Sequence, residues 1–200
     1  MSRRPLRTAL ALAVATVAVA TAAGTAPAYA GSQSARDQAR DVRKVADEGD
    51  RGTPARGDAA RDLLSADARF AKKRLVISVR FRDLRPTGYA LLTDVRTPTG
   101  RYRVTYDAQG SRPFVAVTTL GGATTSCRTT TVRANPRTDR VRVVLPRVCI
   151  GGGKATWVKY GALALQERAD GRFSVDDLRR AGKVDVSRTG IKLGPRLRYN

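Results

Sequence analysis

Residues 74–84 read RLVISVRFRDL, and this stretch decides the fold class. Every second side chain is apolar: Leu75, Ile77, Val79 and Phe81. The positions between them include Arg80 and Arg82, which are charged. An alternation with a period of two is typical of a β-strand with one buried face and one face in water. The stretch therefore predicts a half-buried strand with arginines on its wet side.

The same alternation recurs in short runs along the chain, for example at residues 101–106 and 140–145. Turn residues separate the runs, and short connections favour antiparallel hairpins over parallel crossovers. We predict an all-β domain over residues 61–185, an antiparallel β-sandwich of about eight or nine strands. The Thr-rich run at residues 124–132 is one of these predicted strands.

One short C-terminal helix is also predicted. Ser174 precedes Asp177 by three residues, which is the spacing of an N-terminal capping box. Gly182 would end the helix, after two arginines that suit the negative end of a helix dipole. Such a helix has only about two turns and depends on packing for its stability.

The two ends of the chain differ in composition from this domain. Residues 1–30 combine three arginines, an apolar run and the small-x-small site Ala28-Tyr29-Ala30, which predicts a signal peptide cleaved before Gly31. The apolar run is shorter than the roughly 20 residues of a membrane span, so none is predicted in the mature protein. Residues 31–60 are polar and rich in glycine, which predicts a flexible lead-in with one strand as an alternative over residues 41–46. Residues 186–200 are predicted to form a basic C-terminal extension.

Cysteine usage and charge agree with an exported protein. Cys127 and Cys149 are the only cysteines of the chain. In an exported protein such a pair predicts a disulfide bond. Without residues 1–30, which hold three arginines and no acid, 35 basic residues face 17 acidic ones, a net charge of +18. The excess lies beyond residue 60, so the positive charge belongs to the predicted domain.

The sequence gives little support to catalysis. The chain has no histidine, the usual acid–base residue at neutral pH. Four acids near predicted strand ends could supply a carboxylate pair, but each also suits a turn or an arginine partner: Asp83, Asp94, Asp107 and Glu167. Residues 47–52 place Gly and Arg where a calcium loop needs oxygen ligands. We predict no enzyme activity, no cofactor and no metal.

Three pairs of arginines are the candidate binding residues. Each pair is spaced i, i+2 opposite an apolar strand face: Arg80 and Arg82, Arg101 and Arg103, and Arg140 and Arg142. If the three strands are neighbours in one sheet, these side chains form a cationic plate that attracts polyanions. A polar outer face is also what any antiparallel sheet needs, so the pattern has a purely structural interpretation as well.

Part of the chain resembles a known group of proteins. Phe81-Arg82-Asp83-Leu84 ends an early strand, residues 144–151 read VLPRVCIG, and Trp157-Val158 begins a later strand. Over residues 61–170 these features resemble small secreted proteins of high-GC Gram-positive bacteria. The resemblance implies a disulfide-bonded β-sandwich with a signal peptide, and it implies no activity.

The sequence thus predicts a secreted, non-enzymatic protein that associates with the cell envelope through its basic faces. The partners predicted for those faces are anionic cell-wall polymers, acidic glycans and extracellular DNA. A module that binds one polyanion or acidic glycan specifically is the first alternative. An inhibitor or adaptor of another extracellular protein is the second, and it requires an exposed apolar patch.

Overall fold

The computed structural model of the protein describes residues 31–46, 50, 52–125, 127–180 and 190–199. The predicted signal peptide lies outside the described residues, as do positions 181–189, where the predicted helix would end. No helix in the described part of the chain is long and apolar enough to cross a membrane.

The described residues form thirteen strands: β1 Gly31–Arg36, β2 Arg43–Val45, β3 Thr53–Pro54, β4 Leu63–Phe70, β5 Arg74–Phe81, β6 Ala90–Thr97, β7 Gly100–Asp107, β8 Phe114–Thr119, β9 Thr131–Asn135, β10 Arg140–Pro146, β11 Trp157–Glu167, β12 Phe173–Asp177 and β13 Leu197–Arg198. Three short 3₁₀ turns flank β10: Pro136–Thr138, Arg147–Ile150 and Gly152–Lys154.

The strands form two antiparallel sheets. The first sheet has the order β1-β4-β5-β10-β9. The second has the order β3-β2-β12-β11-β6-β7-β8, and β13 pairs with β11 beside it. The all-β, sandwich-like architecture predicted from the sequence is confirmed.

The core lies between the two sheets and follows the alternation of the sequence. In β5 the four alternating apolar side chains, Leu75, Ile77, Val79 and Phe81, are fully buried, while Arg80 on the same strand is exposed. From the second sheet Tyr160 reaches across the core, where its hydroxyl donates a hydrogen bond of 3.1 Å to the carbonyl oxygen of Ala66. A register shift between Leu63 and Ser65 brings Leu63 to the buried face of β4.

The predicted flexible lead-in is wrong at residues 31–36 and 53–54, which form β1 and β3, while the strand predicted over residues 41–46 is observed as β2. Residues 31–36 pair with β4 as an edge strand of the first sheet, and β2 and β3 extend the second sheet beyond β12. The polar residues of β1 are compatible with this because an edge strand with a wet face needs few apolar side chains. The segment between β1 and β2 therefore crosses from one sheet to the other.

The predicted C-terminal helix is not observed at residues 173–177, which form β12 instead. This strand pairs with β11 on one side and with β2 on the other. Ser174, the predicted N-cap, is fully buried within the sheet. A two-turn helix is marginal alone, and pairing on both sides supplies more backbone hydrogen bonds than its isolated turns could.

Cys127 and Cys149 form the predicted disulfide bond, with their Cα atoms 5.6 Å apart. The bond joins the loop before β9 to the 3₁₀ turn after β10, 22 positions later in the chain. The predicted strand at residues 124–132 is wrong, because β9 begins only at Thr131. The disulfide thus anchors a long irregular segment rather than a regular strand.

We expect the double variant Cys127→Ser, Cys149→Ser to lose about 3 kcal/mol of unfolding free energy, since the open chain regains the entropy that a closed loop of this length removes. Urea denaturation of the variant, beside wild-type protein with and without reductant, measures the change. An unchanged denaturation midpoint would show that the bond contributes nothing to stability.

Candidate functional site

Three of the six predicted arginines lie together on the outer face of the first sheet: Arg80, Arg140 and Arg142. All three are exposed. The other three, Arg82, Arg101 and Arg103, lie elsewhere. The single cationic plate that would combine all three pairs is therefore not formed. A smaller group of arginines lies on the first sheet instead.

The strand register places these arginines in opposed pairs. Arg80 lies directly opposite Arg140, and Arg142 lies directly opposite Arg133. Directly opposed residues of antiparallel strands have Cα atoms about 4.5–5.5 Å apart. Arg133 was missed from the sequence because the predicted strand there ended at residue 132. We call Arg80, Arg133, Arg140 and Arg142 the arginine face.

The arginine face has no acidic partners of its own. Within the described residues, none of its four arginines forms an ion pair. Asp67 of β4, which lies opposite Ser78 on this sheet, accepts a hydrogen bond of 2.6 Å from Ser34. Like charges directly opposite each other destabilise a sheet, so this arrangement costs stability.

Arg82 and Arg103 have structural partners instead. Arg82 lies 3.1 Å from the carboxylate of Asp62 through its Nε atom. Arg103 donates two hydrogen bonds to Asp94, of 2.6 Å from Nε and 2.9 Å from Nη2. These contacts occupy both guanidinium groups. Arg101 is exposed, but it lies on the second sheet.

The four acids considered as catalytic candidates are not brought together. Asp94 is held by Arg103, and Asp107 accepts a hydrogen bond from the backbone N–H of Gln109 in a turn. The Asp83 side chain is 55% exposed and 3.8 Å from Arg85. Glu167 ends β11 and is exposed. None of them forms a carboxylate pair with another.

Sequence reasoning missed a different group of acids, in which Asp176 is buried and Asp37 and Asp41 are half-buried. Carboxylate oxygens of Asp37, Asp41 and Asp176 lie within 4.8 Å of one another. Burial and the repulsion of neighbouring acids raise the pKa of Asp37 to about 8 and that of Asp176 to about 9. Burial also raises the pKa of Asp62 beside them. Two surface cavities, of about 460 and 370 Å³, are lined by other residues, so neither offers a substrate access to this cluster.

The aromatic residues of the strands offer little surface for stacking against a glycan. Tyr89, Tyr106 and Tyr160 are buried in the core. Tyr102 is half-buried and packs against the core. The ring of Trp157 is half-buried and is covered by the guanidinium of Arg196, 4.7 Å from its centroid.

Comparison with known proteins adds no family assignment. No protein-family model matches the chain, and neither a curated protein nor a solved structure matches it.

Proposed function

We propose that the protein is an exported, non-enzymatic binding protein that associates with anionic polymers through its arginine face. The observation that carries this proposal is the pair of directly opposed arginine couples, Arg80 with Arg140 and Arg142 with Arg133, which form no ion pair with any acid that the structure describes. The disulfide and the predicted signal peptide support a place outside the cell.

The loss of stability caused by directly opposed arginines favours a role in binding. A solvated sheet face needs polar side chains, but it does not need like charges opposite each other. Serine and threonine fill equivalent positions on the same sheet, such as Ser32, Ser34 and Ser78. An anionic partner would remove the repulsion among the four guanidinium groups.

The geometry suits a polymer better than a single small anion. Cationic side chains on this face repeat about every 4.8 Å across the strands and about every 6.6 Å along them. The surface is open and exposed rather than a pocket. Repeated phosphate, sulfate or carboxylate groups on a flexible chain can contact several guanidinium groups at once. Anionic cell-wall polymers, acidic glycans and extracellular DNA share this chemistry.

An inhibitor or adaptor of another protein is less well supported. Among the described residues, the large apolar side chains that are exposed are Phe114, Val115, Leu120 and Val148. The first three lie on or just after β8, an edge strand that residues 123–125 partly cover with backbone hydrogen bonds. This set is small for a contact between proteins.

We expect replacement of the four face arginines by Gln to weaken binding to heparin at least tenfold at physiological salt. The logarithmic salt dependence of binding should also become shallower by about 2 to 4, because fewer counterions are released. Retention of residues 31–200 on heparin, DNA and isolated cell wall over a salt series measures both quantities. Heparin tests the shared polyanion chemistry, and the other two matrices identify its source.

The matched control replaces four scattered, exposed arginines by Gln: Arg85, Arg112, Arg128 and Arg172. It removes the same charge without touching the arginine face. Equal weakening in both variants would show that net charge alone drives the association. No retention of the wild-type protein at physiological salt on any of the three matrices would refute the proposal.

A further inference from the structure

The larger of the two surface cavities, of about 460 Å³, lies beside the second sheet. Three parts of the chain form its wall. Lys44 comes from β2, Arg168 from the turn between β11 and β12, and the other lining residues from positions 54–61, which connect β3 to β4. We call this space the basic cavity.

Positive charge predominates among the residues that line the basic cavity. Four of them are cationic, and Asp58 is the one acid among the described lining residues: Lys44, Arg56, Arg61 and Arg168 are the cations. Nη1 of Arg61 lies 2.7 Å from Oδ1 of Asp58, and Nη1 of Arg168 lies 3.8 Å from Oδ2. Lys44 and Arg56 form no ion pair with any acid that the structure describes. Four cations and one acid leave an excess of three positive charges in the wall of the cavity.

Two of the arginines are fixed by the fold. Nη2 of Arg61 donates a hydrogen bond of 2.9 Å to the carbonyl oxygen of Gly88, and Nη1 of Arg168 donates one of 3.2 Å to Oγ of Ser174. The Nε atoms of both arginines are buried and donate to no acceptor among the described residues. Buried donors usually have acceptors, so these two cations are incompletely satisfied by the protein. A nearby anion would stabilise them.

A fixed turn forms another part of the wall. The backbone N–H of Asp58 donates to the carbonyl oxygen of Ala55 over 2.8 Å, and that of Ala55 donates to Val42 over 2.7 Å. The turn is therefore attached to the segment that leads into β2. Gly57 lies in this turn, and a Cβ atom added there would meet no other atom within 4 Å. Position 57 thus borders open space at the cavity and can accept a side chain.

The size and charge of the basic cavity fit a small phosphorylated molecule. Its volume lies in the range of roughly 300–1,000 Å³ that is typical of small-molecule sites. Guanidinium groups bind phosphate oxygens through charge-assisted hydrogen bonds. Two linked phosphate groups carry about three negative charges at neutral pH, which matches the excess in the wall.

We propose that the basic cavity binds the diphosphate group of a small organic molecule. Arg61 and Arg168 provide fixed positive charge, and Lys44 and Arg56 provide the charge that no described acid neutralises. The cavity is separate from the arginine face, which lies on the first sheet, so this proposal is independent of polyanion binding.

Isothermal titration of residues 31–200 with sodium pyrophosphate at low salt tests the proposal. We expect one site with a Kd of about 1 mM or lower, and weaker binding of inorganic phosphate and of citrate. Gly57→Glu should weaken the affinity at least tenfold, because it adds negative charge at the cavity and leaves every arginine in place. Lys44→Gln is a second cavity variant and should weaken binding in the same direction.

The matched control is Gly110→Glu, which makes the same charge change between β7 and β8, where an added Cβ also meets no atom within 4 Å. It should leave pyrophosphate affinity within about twofold of wild type, as should replacement of the four face arginines by Gln. Far-UV circular dichroism establishes that each variant is folded before titration. Folded wild-type protein that binds no pyrophosphate at about 10 mM would overturn the proposal. So would equal weakening by Gly57→Glu and Gly110→Glu, loss of binding in the face variant, or citrate binding as tight as that of pyrophosphate.

Discussion

Replacing Arg103 by Gln is expected to lower the free energy of unfolding by about 3–5 kcal/mol. The Asp94 side chain is only 5% exposed, and both of its oxygens accept hydrogen bonds from the Arg103 guanidinium. The ion pair also raises the pKa of Arg103. Without the guanidinium, Asp94 becomes a buried charge that has lost its cationic partner, which is a much larger penalty than the loss of a surface ion pair. Urea denaturation at pH 7 measures the change.

Arg101→Gln is the matched control, because Arg101 stands two positions earlier on the same strand and is exposed. It should change stability by less than about 0.5 kcal/mol. The double variant Arg103→Met, Asp94→Leu removes both charges and should recover most of the lost stability. A loss below 1 kcal/mol for Arg103→Gln would mean that the pair is solvated and not structural.

The arginine pairs show what the alternation within a strand predicts and what it does not. Alternation identified β5, β7 and β10 and the outward direction of their arginines, because the period of a strand is a local property. The residue opposite each arginine is set by pairing between distant strands. Arg80 therefore meets Arg140, while Arg103 meets Asp94. The first arrangement creates a candidate binding face and the second a structural ion pair.

Edge strands and sheet crossings were the least predictable parts of the fold. The polar sequence of β1 matches both a flexible segment and a solvated edge strand, and only its partner β4 distinguishes them. Residues 173–177 satisfy a local capping pattern, yet pairing with β11 and β2 decides their structure. The disulfide was predictable because the chain has only two cysteines and carries a predicted export signal.

The group of acids formed by Asp37, Asp41 and Asp176 had no signal in the linear sequence. Its residues lie at positions 37, 41 and 176, and none of the known metal-binding spacings relates them. Only the meeting of β12 with the crossing segment makes them neighbours. The sequence analysis considered Asp83, Asp94, Asp107 and Glu167, whereas the acids that the fold brings together lie elsewhere.

The free energy of unfolding is expected to fall as the pH rises from about 5 to about 9. Asp176 has a pKa of about 9 in the folded protein because it is buried among Asp37, Asp41 and Asp62, against a pKa near 3.8 for an ordinary aspartate. Between these values the folded state holds a proton that the unfolded state has released, so each rise in pH favours unfolding. The stability associated with the neutral carboxyl is complete below about pH 4 and is lost as the pH approaches 9.

The slope for one such group is at most about 1.4 kcal/mol per pH unit. Asp37, with a pKa of about 8, adds a smaller effect of the same sign because its side chain is partly solvated. Urea denaturation at unit steps from pH 5 to pH 9 measures the slope for wild type and for Asp176→Asn. The asparagine can still accept the hydrogen bond from Leu63, so this variant should fold and show a distinctly shallower decline. Stability that stays level or rises with pH in wild type would mean that these carboxyls are already ionised in the folded protein, and that the crossing segment leaves them more open to water than the structure shows.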